Sequence, residues 1–143
     1  MHVPGLRSPH EKVGGIVYFG RVLDKIRLHA VGRLPPGYNL GTEDWWFYDA
    51  RCMRFLGIDY EALRERALRG DSDEEVLHWC FQQGRKPNDE EIEIWNTFMA
   101  KRGWRDEASG GLEEVKRECG FAERKDIATW FDLFDADESK PKD

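Results

Sequence analysis

Residues 72–103 read SDEEVLHWCFQQGRKPNDEEIEIWNTFMAKRG and contain two helix signals in succession. Ser72 and Glu75 form a Ser-x-x-Glu capping box, in which each side chain satisfies a free backbone N–H at the helix start. Apolar residues at helical spacing follow, and the segment ends at Gly84, a residue type that commonly terminates helices. Residues 87–103 repeat this pattern of a capping box, apolar residues at helical spacing and a terminal glycine. The stretch therefore predicts two consecutive amphipathic helices.

Working outward from this stretch, apolar stripes of helical period alternate with glycine along most of the chain. Five further helices are predicted in this way: one from Ser8 to Ala30, one over 42–56, one from Asp59 to Gly70, one over about 106–119 and one over about 124–135. The predicted fold is all-α, an irregular orthogonal bundle of about seven helices. We expect a single domain over residues 1–135, followed by a disordered acidic tail over residues 136–143.

The start of the first helix is the ambiguous part of this pattern. Ser8, Pro9 and Glu11 match a capping box with proline at the first helical position, which predicts a helix start. Gly14-Gly15 would then lie inside a helix, where missing side chains allow another segment to approach closely. Residues 16–19 lie between two glycines and could instead form a short strand. The long apolar stripe and the capping box favour the helix.

Charge and composition limit the classes of function. The chain has 143 residues and a net charge of −6. Residues 1–36 carry six basic and two acidic side chains, so the remainder is strongly acidic. An acidic chain lacks the basic face that nucleic-acid binding requires, and no apolar run is long enough to span a membrane. Three widely separated cysteines predict reduced thiols in a cytoplasmic protein.

The most suggestive polar group lies on the predicted first helix. Arg21 and Lys25 are four residues apart and face the same way, and Tyr18 precedes Arg21 by about one turn. Two cations beside an aromatic ring could bind a carboxylate or a phosphate, with Arg51 of the second helix completing the set. In the alternative interpretation, Asp24 pairs with Arg21 or Arg27 within the helix, and the basic helix docks on acidic neighbours. This structural alternative is favoured.

Motifs for catalysis or metal binding are not apparent. Glu75 and His78 have Glu-x-x-His spacing, but a carboxylate-bridged metal site in a helical bundle uses two such motifs. Cys52 is flanked by arginines, which lower a thiol pKa, yet it lies on an apolar stripe that favours burial. Phosphate-binding glycine loops and serine elbows are also lacking. We predict no catalytic residue, no metal site and no cofactor, and leave enzymatic activity open.

Several blocks of the sequence together resemble a bacterial domain-of-unknown-function family. The chain opens with a segment of the form Leu-Arg-Ser-Pro-x-Glu-Lys-x-Gly-Gly, and further similar blocks are Tyr18-Phe19-Gly20-Arg21, Leu23–His29, Phe55-Leu56-Gly57, Trp79-Cys80-Phe81 and Lys101–Asp106. The resemblance covers nearly all of the chain except the tail, although residues 45–48 are more aromatic than the family pattern. It implies a bacterial, cytoplasmic, stand-alone domain and carries no activity, cofactor or catalytic residue with it.

Two hypotheses of function follow. The first is a non-catalytic interaction module, a homodimer or the partner of another protein, that uses an aromatic or acidic face; it predicts an exposed apolar patch and no deep polar pocket. The second is an enzyme or binding protein for a small anionic ligand, with its site between the first and second helices. That hypothesis predicts a pocket lined by Tyr18, Arg21, Lys25 and Arg51. The first hypothesis is slightly favoured because no catalytic group stands out.

Overall fold

The computed structural model describes residues 1–139 and is mostly helical, with one small β-hairpin. The strands are Lys12–Val13 (β1) and Ile16–Val17 (β2). The helices are Phe19–Ala30 (α1), Tyr48–Leu56 (α2), Tyr60–Ala67 (α3), Asp73–Gln83 (α4), Asp89–Lys101 (α5), Ser109–Glu118 (α6) and Trp130–Glu138 (α7). The helical fold class is therefore confirmed in outline, and the hairpin is an addition to it.

The hairpin corrects the predicted start of the first helix. Gly14 and Gly15 have φ angles of 56° and 81°, so both adopt the left-handed conformation of a two-residue hairpin turn. The turn pairs Val13 with Ile16 in antiparallel register. Ser8 lies in a preceding turn that no helix continues, and α1 begins only at Phe19. Two consecutive glycines that can both adopt positive φ outweighed the capping signal.

The hairpin is held against α5 by side-chain hydrogen bonds. Asn96 accepts a hydrogen bond from the backbone N–H of Val17 at 3.0 Å and donates one to the carbonyl of Gly15 at 2.8 Å. The indole of Trp95 donates to the carbonyl of Val17 at 3.1 Å. A two-stranded hairpin has little stability alone, so these contacts with a helix are what fix it.

The predicted caps in the middle of the chain are confirmed. Asp59 accepts a hydrogen bond from the N–H of Ala62 at the start of α3. Ser72 forms the expected reciprocal capping box at α4, and Asn88 forms a second one at α5. These signals act within four residues of the chain, so packing elsewhere in the molecule did not change them.

Three other helices begin later than predicted. Residues 42–47 form turns, and α2 starts at Tyr48 rather than at residue 42. Asp106 accepts hydrogen bonds from Gly103 and Ala108 within a loop, which delays α6 to Ser109. The cap of α7 is Thr129.

The end of α7 also differs from the predicted domain boundary. This helix continues to Glu138, three residues beyond the boundary at residue 135, so residues 136–138 are helical. Ser139 caps the helix, and residues 140–143 of the expected tail lie outside the described residues.

Buried apolar side chains form two clusters. The larger one joins the hairpin, α1 and α2 to α3, α4, α5 and Phe131 of α7. The smaller one consists of Leu112, Phe121, Ile127 and Leu133, and lies between α6 and α7. Helix α7 contributes to both clusters and therefore connects them.

Arg7 ties the N-terminal segment to this framework. Its guanidinium donates to both carboxylate oxygens of Asp24, to Asp73 at 2.7 Å and to the carbonyl of Gly20. Arg27 donates to the other oxygen of Asp73 at 2.6 Å. Asp24 therefore pairs with Arg7 rather than with Arg21, which leaves Arg21 to another partner.

Candidate functional site

A cavity of about 600 Å³ opens beside the N-terminal half of α2 and along α7. Its wall combines α1, α2, α6 and α7 with the loop at residues 35–39, so it is larger than a cleft between the first two helices. Most of the wall is aromatic or aliphatic, including Trp46, Phe47, Tyr48, Trp130, Leu133 and Phe134. Tyr18, Arg21, Lys25 and Arg51 all lie on this wall.

Lys25 and Tyr18 share the carboxylate of Asp49 at the floor of the cavity. The Lys25 Nζ lies 2.6 Å from Asp49 Oδ1, and the Tyr18 hydroxyl donates to the same oxygen at 2.7 Å. The other Asp49 oxygen accepts from the N–H of Gly41 at 3.2 Å. Lys25 also donates to the Tyr18 hydroxyl and to the carbonyl of Asn39. All three donors of the ammonium are therefore occupied.

Burial has the largest effect on the pKa values of Tyr18 and Lys25. Burial raises the pKa of Tyr18 well above its ordinary value, and the neighbouring Asp49 acts in the same direction. The phenol therefore stays protonated and donates its hydrogen to Asp49. Burial lowers the pKa of Lys25, while Asp49 opposes this effect. The buried carboxylate is thus the group that keeps the ammonium charged.

Arg21 is paired with the end of α7. Its guanidinium contacts both carboxylate oxygens of Glu138, one of them at 2.7 Å, and donates to the carbonyl of Arg7 at 2.9 Å. The same guanidinium lies 5.2 Å from the centre of the Phe134 ring. Arg21 is only 3% exposed, so its charge is compensated inside the protein rather than presented to solvent.

Arg51 has a different environment from the other two cations. Its buried Nε has no hydrogen-bond partner, and its guanidinium forms no ion pair with any residue in the described part of the chain. The guanidinium lies instead 5.8 Å from the Trp45 ring centre and 5.4 Å from that of Phe98. Burial, followed by the nearby charges of Arg102 and Arg54, lowers the pKa of Arg51.

Arg102 extends this cationic edge of the cavity. It lies on the cavity wall and places its guanidinium 5.6 Å from the centre of the Phe98 ring, the ring that Arg51 also contacts. Its acidic neighbour is Asp106, at the long distance of 3.6 Å. Arg51 is therefore the cation of this edge that lacks an acidic partner among the described residues, whereas Arg102 is paired with Asp106 and Glu107 also lies on the wall.

Neither a cluster of metal-ligating side chains nor a membrane-spanning helix is found among the described residues. Within residues 1–139, no group of three or more His, Cys, Asp or Glu side chains is arranged to hold a metal ion. Glu75, the partner of His78 in the Glu-x-x-His pattern, is used in the capping box of α4. The helices in this part of the chain are all too short or too polar to cross a lipid bilayer.

A comparison with known families assigns the chain. The family described as domain of unknown function DUF5069 matches residues 3–140. The chain belongs to this family. No curated protein matches it. The DUF5069 match includes every residue on the cavity wall except Met1, so the cavity lies within the family domain.

Sequence reasoning grouped four residues of this DUF5069 chain that all lie on the wall of one cavity, but it missed the partners of two of them. Asp49 and Glu138 neutralise Lys25 and Arg21, and neither was singled out. Asp49 carried a usable signal, because an acidic residue on the inner face of a largely apolar helix requires a buried partner. Glu138 carried none, because it lies in a segment whose composition predicted disorder.

Proposed function

We propose that this protein binds a small amphipathic anion in the cavity, with the apolar body of the ligand against the aromatic wall and its carboxylate or phosphate on Arg51. The observation that supports this proposal is a guanidinium without an ionic partner at the edge of a largely apolar cavity. A volume of about 600 Å³ also suits a ligand of metabolite size.

The distribution of charge favours Arg51 over the other predicted residues as the anion receptor. Arg21 and Lys25 are each bound to a carboxylate, so an incoming anion would have to displace Glu138 or Asp49. Such an exchange gains little, because one negative charge replaces another. Tyr18, Arg21 and Lys25 are therefore assigned to the wall that shapes the cavity, and Arg51 and Arg102 to the recognition of charge.

The electrostatics around Arg51 give a physical reason for anion binding. Two like charges, Arg102 and Arg54, disfavour the charged form of Arg51, and an anion placed beside them would relieve that repulsion. The cavity excludes part of the solvent, which strengthens the attraction relative to the same pair in water. The aromatic wall adds apolar burial for the rest of the ligand.

The proposal can be tested with two fluorescent probes that differ in charge. Anilinonaphthalene sulfonate is an amphipathic anion, and N-phenylnaphthylamine has a similar aromatic body without the sulfonate. Replacing Arg51 with methionine should weaken sulfonate binding about tenfold, because a charge-assisted hydrogen bond is lost, and should change binding of the neutral probe by less than about twofold. Fluorescence titration measures both constants.

Two further variants control this experiment. Arg54 lies on the same helix but not on the cavity wall, so Arg54→Met is the matched control and should retain most of the sulfonate affinity. Gly111→Phe places a ring inside the cavity from α6, where a side chain would meet Trp130 at an ordinary contact distance of 3.6 Å, and should abolish binding of both probes. Equal sulfonate affinity in wild type, Arg51→Met and Gly111→Phe would refute the proposal.

The cavity bears on one choice between the hypotheses drawn from the sequence and leaves the other predictions untested. The cavity favours the ligand-binding hypothesis over the expectation of an interaction module without a pocket. Non-catalytic binding, a bacterial origin, a cytoplasmic location and a single-domain organisation remain predictions. Cell fractionation of the native source tests the predicted location.

A further inference from the structure

The exposed face of α5 carries acidic side chains at one end and a basic side chain at the other, so its charge pattern is complementary to its own reverse. Counting along the helix, its solvent-facing positions are Glu90, Glu93, Ile94, Thr97, Phe98 and Lys101, all of them exposed. These positions recur at intervals of three and four residues and so form one stripe. The stripe is acidic at its first end, apolar in the middle and basic at its last end.

Large apolar side chains in the middle of this stripe are open to solvent. Ile94 is 61% exposed and Phe98 is 41% exposed, and they lie one turn apart. Trp45, which is 69% exposed, widens the patch beside the helix. The rings of Trp45 and Phe98 both contact the guanidinium of Arg51. Contiguous exposed apolar surface of this kind marks an interaction site more often than an ordinary solvent face.

We propose that α5 forms the interface of a homodimer, with the α5 of a second copy packed antiparallel across a two-fold axis near Thr97. In this arrangement Ile94 of each copy faces Phe98 of the other. The acidic end of one stripe, Glu90 and Glu93, faces Lys101 of the other, and the same contacts repeat on the far side of the axis. A two-fold interface requires this reciprocity.

The charges on α5 favour a second copy of the chain as the partner, and they favour an antiparallel orientation of the two helices. A parallel pairing of two α5 helices would place Glu90 and Glu93 against the same carboxylates of the other copy. Antiparallel pairing replaces both repulsions by attractions. The helix has 13 residues and is therefore about 20 Å long, so the interface is small and the dimer is expected to be weak and dependent on concentration.

A charge-swap experiment tests the proposal with the full chain. Glu90→Lys/Glu93→Lys should dimerise about tenfold more weakly than wild type, and Lys101→Glu should be weakened similarly, because each homodimer then faces like charges at both ends. A mixture of the two variants should form a heterodimer as stable as the wild-type dimer, since each end again joins opposite charges. Sedimentation velocity over a range of concentrations gives the constants.

Matched controls separate the interface from effects on folding. Glu61→Lys/Glu65→Lys on α3 makes the same change in charge, and Glu61 has the same position in its helix as Glu90. This α3 variant should dimerise as wild type does. The α5 variant Ile94→Ala should weaken the dimer while keeping the thermal melting temperature of the wild type.

Three results would overturn the proposal: a wild-type chain that stays monomeric at all concentrations, a mixture of the swapped variants that fails to associate, or a control that loses as much affinity as the α5 variants. A monomer that instead binds an acidic peptide through this face would assign the face to another partner and would likewise overturn it.

Discussion

Replacing Asp49 with asparagine removes the negative charge from the centre of a buried hydrogen-bond group. Asp49 is 1% exposed, and it accepts hydrogen bonds from Lys25, Tyr18 and the backbone of Gly41. The variant keeps the shape of the side chain but leaves the Lys25 ammonium, itself 3% exposed, without a counter-charge. The change therefore isolates the electrostatic part of the interaction.

The expected loss of stability follows from this geometry. Removing one partner of a buried ion pair costs about 3–5 kcal/mol, because the remaining charge stays desolvated. The asparagine oxygen can still accept one hydrogen bond, and Lys25 keeps the Asn39 carbonyl as an acceptor. The loss should therefore lie near the lower limit, about 3 kcal/mol, which is a large part of the 5–15 kcal/mol typical of a domain.

The loss should also depend on pH with a defined sign. In the variant the folded chain holds Lys25 with a pKa still further below its ordinary value of 10.5, so the unfolded chain binds more protons at any pH between that lowered pKa and 10.5. Raising the pH toward 10.5 removes this preference for the unfolded state. The stability difference between wild type and Asp49→Asn should therefore shrink as the pH rises.

Urea unfolding of four chains provides the measurement. These are wild type, Asp49→Asn, Lys25→Met and the double variant, which together form a double-mutant cycle. The double variant should lose less stability than the sum of the two single losses, because it leaves no unpaired charge. A strictly additive double variant, or an Asp49→Asn chain with the unfolding midpoint of wild type, would refute the assignment of an ion pair.

Two further predictions concern stability. Burial raises the pKa of Asp73, but hydrogen bonds from Arg27 and Arg7 outweigh it and hold the pKa below its ordinary value of 3.8, so the pair stabilises the fold above that pH and the effect fades as the pH falls below it. Asp73→Asn should cost about 1–3 kcal/mol at pH 7 and less in acid, as measured by urea unfolding at several pH values; an equal cost at every pH would contradict this. A Cβ at Gly84 would lie 2.1 Å from the carbonyl oxygen of Leu56, a backbone atom that cannot rotate away. Gly84→Ala should therefore cost more than about 2 kcal/mol by thermal melting, and an unchanged melting temperature would show that the two segments can separate.

The parts of the fold that the sequence predicted well are those with local causes. The caps at Asp59, Ser72 and Asn88 involve side chains and backbone groups within one helical turn. The hairpin has an equally local cause, the Gly14-Gly15 pair, but a competing capping signal at Ser8 pointed to a helix. Side-chain hydrogen bonds from α5 reinforce the turn that the two glycines favour, and contacts of such long range have no signature within the segment itself.

The sequence could predict which residues share a surface, but it could not predict how their charges are paired. The spacing of Arg21 and Lys25 on one helix, next to Tyr18, indicated a shared face, and the structure places these residues on one cavity wall. Their pairing with Glu138 and Asp49 could not be derived, since Arg21 and its partner are 117 residues apart. Knowing the partners changes the interpretation, because it moves the unpaired charge from α1 to Arg51.

The contact between Arg21 and Glu138 has a consequence for the order in which the protein acquires its shape. Because the ribosome delivers α1 long before α7, the guanidinium of Arg21 lacks its carboxylate partner until Glu138 has emerged. The cavity can therefore be completed only after α7 has been synthesised, when the final turn of this helix reaches back to the first helix. A nascent chain held short of α7 would leave the wall of the cavity incomplete and expose its aromatic residues to chaperones.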